Sequence, residues 1–217
     1  MLSTKNMSAG SGRIKPVIGV GNQVIKINGI KFDKTPYDSE AYNIILNVET
    51  EPVKGDFQGF LKDVDNPNGP RYEGQVGRVR FTPYPYKDTV LPSGREINRD
   101  QEVLKSMIFL AEVLDKRDEL DSIEAVNIFE FMDACNALFS NSEYMNACIA
   151  GREWENKDGY INYDLFLPRM SKEGMPLQPL DGSRLLAFDE SKHVKRLKKP
   201  TVNGFEPSNS IGDDFDL

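Results

Sequence analysis

The residue types that carry most enzyme chemistry are sparse in this chain. Its 217 residues include one histidine, His193, which lies in a basic run, and two cysteines, Cys135 and Cys148, which lie among apolar residues. The sequence contains no glycine-rich phosphate loop with its lysine, no serine nucleophile elbow and no Cys/His cluster with metal-ligand spacing. It therefore predicts a protein that is not an enzyme and that needs neither a cofactor nor a metal ion.

Cationic and aromatic side chains alternate on segments that are predicted to be strands. Arg78 and Arg80 share one face of such a segment, and Arg152 and Trp154 share a face of another, because side chains two apart in a strand point the same way. Cations neutralise phosphates and aromatic rings stack on bases, so the pattern predicts binding to single-stranded nucleic acid. The candidate binding residues are Lys26, Lys31, Tyr72, Arg78, Arg80, Tyr84, Tyr86, Arg152 and Trp154.

Five of these residues also have a purely structural explanation. Tyr84 and Tyr86 alternate with prolines and could simply stiffen a loop, while Trp154 is the only tryptophan and could belong to the core. Arg78 and Arg80 could pair with Glu49 or other carboxylates across the sheet. It is their occurrence together on predicted strands that favours the binding interpretation.

The charge of the chain is concentrated at its C terminus. The formal net charge is −7, and four acidic residues lie in the last twelve positions, which leaves −3 for residues 1–205. An acidic total does not exclude a basic groove, because charge is screened beyond about 8 Å. The terminal segment is predicted to recruit a protein partner or to occupy the basic groove, with a simple solubility tail as the alternative. Its residues are Asp213, Asp214, Phe215, Asp216 and Leu217.

The elements that would position these residues follow from periodicity and capping. Asn28-Gly29 predicts a two-residue hairpin turn within residues 23–34, which would place Lys26 opposite Lys31. Further strands are predicted over residues 41–50, 57–64, 75–82, 144–154 and 160–167. Helices are predicted over residues 98–116 and 128–139, with Asn98 and Asn127 as their N-caps. The predicted fold is α+β, an OB-like antiparallel β-barrel with a two-helix insertion before the closing hairpin.

The same pattern divides the chain into three parts. Residues 1–12 are predicted to be a disordered arm, residues 13–190 the OB-like domain, and residues 191–217 a basic run followed by a flexible linker and the acidic tail. The sequence shows neither a signal peptide nor an apolar stretch of the roughly 20 residues that a membrane span needs. We therefore expect a cytoplasmic location and no membrane partner, and the sequence leaves homo-oligomerisation open.

Two stretches resemble single-stranded DNA-binding proteins of tailed phages that infect gut Bacteroidetes. They are residues 72–84 (YEGQVGRVRFTPY) and residues 150–168 (AGREWENKDGYINYDLFLP). The chain is also similar to phage single-stranded DNA-binding proteins in general plan: an OB-type barrel, a flexible linker and an acidic tail with an aromatic residue, here Phe215. The resemblance covers residues 13–169 and the tail. The tail differs from that of bacterial single-stranded DNA-binding proteins, because Asp216 and Leu217 follow the aromatic residue.

The resemblance implies a protein that coats and protects exposed single-stranded DNA during phage replication and recombination in the host cytoplasm. Its tail would recruit replication or recombination proteins and suppress loose binding. Two other functions also fit the sequence. One is a metal-dependent nuclease-type accessory enzyme that holds magnesium with Asp63, Asp65 and Glu155. The other is a virion or protein-interaction module whose aromatic faces bind protein.

Overall fold

The computed structural model describes residues 18–51 and 75–197. The predicted N-terminal arm, the predicted strand over residues 57–64, Tyr72 and the acidic tail lie outside these ranges. In chain order, the elements of the described residues are β1 (Gly21–Lys34), β2 (Tyr42–Thr50), β3 (Val76–Arg80), β4 (Thr89–Val90), β5 (Glu96–Ile97), α1 (Arg99–Val113), α2 (Arg117–Asp121), α3 (Ile128–Phe139), β6 (Met145–Glu155), β7 (Ile161–Phe166), β8 (Leu177–Pro179), α4 (Glu190–His193) and β9 (Val194–Lys195).

Five of these strands close into a barrel. β1 pairs antiparallel with β2, and β2 pairs antiparallel with β3. β3 pairs in parallel with β7 through Arg80 and Phe166, β7 pairs antiparallel with β6, and β6 returns to β1. β4 and β5 pair with each other, whereas β8 and β9 add to β6. The fold is therefore α+β, a closed five-stranded barrel with helices, and it is consistent with an OB-like barrel.

The alternation of apolar and polar residues explains how the strands line the barrel. In β2 the side chains of Ile44, Leu46 and Val48 are buried, whereas Asn47 is exposed. This confirms the strand predicted over residues 41–50. The core extends from the barrel to the helices. It includes Ile25, Ile27, Leu46, Val79 and Ile149 from the barrel, with Met107, Leu110 and Phe139 from the helices.

The predicted hairpin turn at Asn28-Gly29 is wrong. β1 runs without interruption through both residues, neither of which has the positive φ angle that the turn requires, and its register against β2 shifts there as in a β-bulge. The cause is α3. The Asn136 side-chain oxygen accepts a hydrogen bond from the Ile30 N–H at 2.6 Å and would lie 3.4 Å from a Cβ at position 29. Glycine therefore leaves room for a helix residue.

This correction changes the environment of both lysines. Lys26 lies opposite Glu49 on β2, and Lys31 lies opposite Ile45, so the two lysines do not face each other. Since each has a different cross-strand neighbour, the predicted like-charge pair does not form.

The two predicted helices are confirmed. α1 begins after Asn98, whose side chain accepts a hydrogen bond from the Gln101 N–H, and α3 begins after Asn127, which caps the first turn in the same way. The Glu130 carboxylate accepts a hydrogen bond from the Val126 N–H. In a capping box it would accept this bond from the N-cap residue, Asn127, one position later. α2, which lies between these helices, was not predicted.

The closing hairpin is confirmed as well, but the structure continues beyond it. β6 and β7 pair antiparallel on either side of a turn. In this turn Gly159 has φ 81°, and the Asn156 side chain accepts hydrogen bonds from two backbone N–H groups. β8, α4 and β9 follow it and were not predicted. α4 begins at Glu190, the residue at which the predicted domain ends, and β9 after it still pairs with β6. Of the helices in the described ranges, none has the length and apolar character to cross a membrane.

Candidate nucleic-acid interface

A groove of about 560 Å³ is lined by residues of β3, β7 and β6. Strand pairing explains which side chains meet there: Arg152 lies opposite Asp164, and Trp154 lies opposite Asn162. The residues that line this groove are Arg78, Arg152, Trp154, Tyr163, Asp164 and Leu165. Three of the predicted binding residues, Arg78, Arg152 and Trp154, are therefore brought together.

A second groove of about 460 Å³ adjoins the first and shares Arg78, Tyr163 and Leu165 with it. It extends across β2 and β1 to the amides of Asn47 and Asn28. Asn47 lies opposite Arg78 in the pairing of β2 with β3. The two grooves form one path across the barrel, called here the barrel groove, that offers amide, guanidinium and aromatic groups in succession.

The aromatic and cationic groups of the barrel groove are accessible. Trp154 is 48% exposed and Tyr163 is 40% exposed. Arg78 is also exposed and forms no ion pair with another described residue. A flat ring that is half open to solvent can stack on a base, and a guanidinium with no carboxylate partner can bind phosphate.

A group of cations surrounds Tyr84 beside the barrel groove. The charged groups of Arg152, Arg169 and Lys195 lie 5.7, 5.8 and 5.1 Å from the centre of the Tyr84 ring. The Lys195 ammonium also donates a hydrogen bond to the Tyr84 hydroxyl at 2.8 Å. That bond, with the charge of the three cations, lowers the pKa of the hydroxyl. Together these four residues are called the Tyr84 cluster, and Arg152 belongs both to it and to the barrel groove.

Sequence reasoning missed Arg169 and Lys195 as site residues. Lys195 belongs to the basic run that the sequence shows over residues 192–199, but nothing in that run indicates which lysine contacts the barrel. Arg169 follows the closing hairpin and has no strand periodicity to give its direction. In the structure, the parallel pairing of β9 with β6 places Lys195 opposite Arg152.

Arg80 lies close to the barrel groove but is not available to a ligand. Its side chain is only 17% exposed, and it forms an ion pair with Asp164, which lines the groove. This agrees with the structural explanation in which an arginine pairs with a carboxylate across the sheet, although the partner is on β7. By neutralising Asp164, Arg80 reduces the repulsion that this carboxylate would exert on a phosphate.

The two predicted lysines do not line the barrel groove. Lys26 forms a 3.5 Å ion pair with Glu49, and its ammonium lies 5.8 Å from the ring centre of Tyr144. Lys31 is well exposed and pairs with Asp33 on its own strand. Neither lysine is among the residues that line the two grooves.

Tyr86 belongs to the core. It is 7% exposed, and its hydroxyl shares a 2.8 Å hydrogen bond with Ser106 on α1. Burial raises the pKa of this hydroxyl to about 12. A ring enclosed in this way offers no face to a base. Tyr72 and the five predicted tail residues lie outside the described residues, so the structure does not place them.

The structure also places both cysteines and one of the carboxylates considered for magnesium. Within residues 18–51 and 75–197, no group of three His, Cys, Asp or Glu side chains is placed to hold a metal ion. Burial raises the pKa of the Cys135 thiol to about 12 and that of Cys148 to about 11, so both stay protonated near neutral pH. Of the carboxylates considered for magnesium, Glu155 is exposed at the end of β6, and Asp63 and Asp65 lie outside the described ranges.

No protein-family model matches the chain, and a comparison with curated proteins finds no match either. Both grooves are shallow surface features that cross several strands, a shape that suits an extended polymer better than a small molecule, which binds in enclosed pockets.

Proposed function

We propose that this protein binds single-stranded DNA without catalysis and that its barrel is of the OB type. The observation that carries the proposal is the meeting of Arg78, Arg152 and Trp154 in one open groove. The strand order of the barrel supports the OB type, since the first three strands form a meander and the last two form the closing hairpin. OB folds bind oligonucleotides on the face of their second and third strands and at the adjoining loops.

The chemistry of the barrel groove supports binding without sequence preference. Arg78 and Arg152 would neutralise phosphates, and Trp154 and Tyr163 would stack on bases for about 1–3 kcal/mol each. The second groove supplies amide groups, which can hydrogen-bond either to a base or to the backbone. The two grooves are open surfaces and are not shaped around one base, so we expect the protein to tolerate many sequences.

The wider role follows from the sequence resemblance. We infer that the protein coats and protects exposed strands during phage replication and recombination in the host cytoplasm. The acidic tail would recruit replication or recombination proteins and compete for the barrel groove when no DNA is bound. Salt screens charged groups, so rising ionic strength should weaken both the contact of the tail with the groove and the contact of DNA with the groove.

Fluorescence titration with oligo(dT) over a series of salt concentrations tests the proposal. Trp154 is the only tryptophan and lines the groove, so its emission should be quenched when a base stacks on it. The logarithm of the affinity should fall linearly with the logarithm of the salt concentration, by about 0.7 for each phosphate contact. Arg78→Ala and Arg152→Ala should each weaken binding and reduce this slope.

Lys105→Ala is the matched control. Lys105 is an exposed cation on α1, paired with Glu102 and remote from the lining of the groove, so its loss should leave the slope unchanged. If the wild-type protein bound no oligo(dT) even at low salt, the proposal would be overturned, and a protein-interaction role would be favoured instead.

A further inference from the structure

The Tyr84 cluster has an excess of positive charge. Among the described residues, none of its three cations, Arg152, Arg169 and Lys195, forms an ion pair with a carboxylate, although all three lie within 5.8 Å of the centre of one ring. Like charges at such separations repel one another, and an anion placed between them removes that repulsion. The cluster is partly exposed, so an anion can reach it from solvent. These features fit a phosphate group.

The cluster is completed by the last four described residues, 194–197, called here the strap. The strap begins with β9, in which Val194 pairs with Gly151 and Lys195 pairs with Arg152 on β6. This pairing sets Lys195 beside Arg152 and within hydrogen-bonding distance of Tyr84. A strand of two residues makes few hydrogen bonds, so it needs another anchor to stay in place.

Glu153 supplies that anchor. Its carboxylate accepts a hydrogen bond from the Arg196 guanidinium at 2.8 Å and another from the Leu197 N–H at 3.0 Å. The Glu153 side chain is only 10% exposed, whereas that of its partner Arg196 is 60% exposed. A carboxylate that lies so near a cationic groove would ordinarily weaken the binding of a polyanion. Its position is explained if it holds the strap.

We infer that Tyr84, Arg152, Arg169 and Lys195 form a phosphate-binding subsite at the edge of the barrel groove, and that Glu153 positions this subsite by holding the strap. The inference rests on the proposed function, because the phosphate would belong to the bound strand. Arg152 joins the subsite to the groove, so a base on Trp154 and a phosphate on the cluster can belong to the same strand.

The role of Glu153 predicts an effect opposite in sign to simple electrostatics. Glu153→Ala removes a negative charge beside the groove, which alone should strengthen binding to oligo(dT). If Glu153 holds the strap, the variant should instead bind about tenfold more weakly, the size of one lost charge-assisted contact, with a salt slope reduced by about 0.7. Glu155→Ala is the matched control: it is exposed on the same strand and should bind as tightly as wild type or more tightly.

A double variant tests whether Glu153 acts through Lys195. Lys195→Ala should lower affinity and salt slope as Glu153→Ala does, and the double variant should bind no more weakly than Lys195→Ala alone. If the two effects add instead, Glu153 does not act through the strap and the inference is overturned.

A neutral substitution keeps the test decisive if Glu153→Ala fails to fold. Leu197→Pro removes the N–H that donates a hydrogen bond to Glu153 and leaves the charge unchanged. Leu197→Ala keeps this N–H. Only the proline variant should lose affinity. Equal binding by both variants would contradict the anchoring role.

Two kinds of phosphate share this chemistry, an internal phosphodiester and a terminal phosphate. Oligo(dT) with and without a 5′-phosphate separates them. If Lys195→Ala weakens binding to both oligonucleotides equally, the subsite holds an internal phosphodiester. If it weakens only the phosphorylated one, the subsite holds a strand end.

Failure of the inference can be told apart from failure of the proposed function. If wild type binds oligo(dT) and the Lys195→Ala and Glu153→Ala variants bind equally well, the subsite is wrong and the proposed function stands. If wild type binds no oligo(dT), the proposed function is wrong. The cluster is then tested with inorganic pyrophosphate, which should raise the melting temperature of wild type but not that of Lys195→Ala; an equal shift in both would overturn the subsite.

Discussion

Arg152 and Trp154 are two residues apart in a strand, so their side chains point the same way, and they line the same groove as Arg78. This alternation depends only on neighbouring residues, which is why these three residues could be predicted from the sequence. Tyr84 and Tyr86 are also two residues apart, yet one is half-exposed and the other is buried. They lie in a segment of bends and an isolated bridge, where alternation gives no reliable direction.

Tyr84 should titrate at lower pH than an ordinary tyrosine. The hydrogen bond from Lys195, together with the nearby cations, stabilises the phenolate, so the pKa of Tyr84 lies below the usual value of about 10. As pH rises through this pKa, the phenolate neutralises one positive charge of the cluster, and binding to oligo(dT) should weaken. Below this pKa the hydroxyl is neutral and binding should be at its full strength.

The measurement is a spectroscopic titration of tyrosinate combined with affinity at each pH. Lys195→Ala should move the early-titrating tyrosine back towards the ordinary range. The Tyr84→Phe variant should lack this early titration, and its affinity for oligo(dT) should persist to a higher pH than that of wild type. An unchanged titration curve in Tyr84→Phe would show that another tyrosine is responsible.

At the level of elements, β1 depends on a contact that is distant in sequence. Asn136 on α3 accepts a hydrogen bond from the N–H of Ile30, a buried residue 106 positions away. Asn136→Ala should leave that N–H without an acceptor and lower the free energy of unfolding by about 1–3 kcal/mol. Urea denaturation measures this loss as a lower midpoint with an unchanged slope.

Asp133→Ala is the control for this prediction. Asp133 is exposed on the same helix, so its replacement should change the free energy of unfolding by no more than about 0.5 kcal/mol. An Asn136→Ala variant as stable as Asp133→Ala would show that α3 does not stabilise the bulge.

The same contact shows how far the sequence could predict the elements. The half-buried strand β2 and the caps at Asn98 and Asn127 are determined by neighbouring residues, and their predictions are confirmed. Asn28-Gly29 is a strong turn signal, but α3 packs against the glycine and makes it a bulge. Short elements such as β9 have no detectable periodicity, and their positions depend on partners elsewhere in the fold.

For the candidate site, the residues that could not be predicted are those with distant partners. Arg80 lies two residues from Arg78 on the same strand, but it pairs with Asp164, 84 positions further along the chain. Lys195 reaches Tyr84 across 111 positions. Local periodicity indicates on which face of a strand a side chain lies, but it cannot show which groups from other elements meet it there.

On the scale of the whole molecule, the cationic surface of the barrel and the C-terminal acidic residues carry opposite charges. The net charge is −7, yet the Tyr84 cluster and the barrel groove gather cations on one surface, and four acidic residues occupy the last twelve positions. The strap ends at Leu197, which bonds to Glu153 next to Trp154 in sequence. Twenty residues follow it, and an extended chain spans at most about 3.6 Å per residue, so the acidic residues are within reach of the groove.

Deletion of residues 206–217 should therefore tighten binding to oligo(dT). The tail acids and the DNA phosphates would compete for the same cations, so removal of the tail increases the fraction of protein with an unoccupied groove. The gain should be greatest at low salt and should shrink as salt screens the tail. A variant with Glu206 changed to Gln and with Asp213, Asp214 and Asp216 changed to Asn is the matched comparison, because it removes the same four charges but keeps the length and Phe215. It should bind as tightly as the truncated protein. If both variants bound no better than wild type, the tail would not compete for the groove, even if DNA binding itself were established.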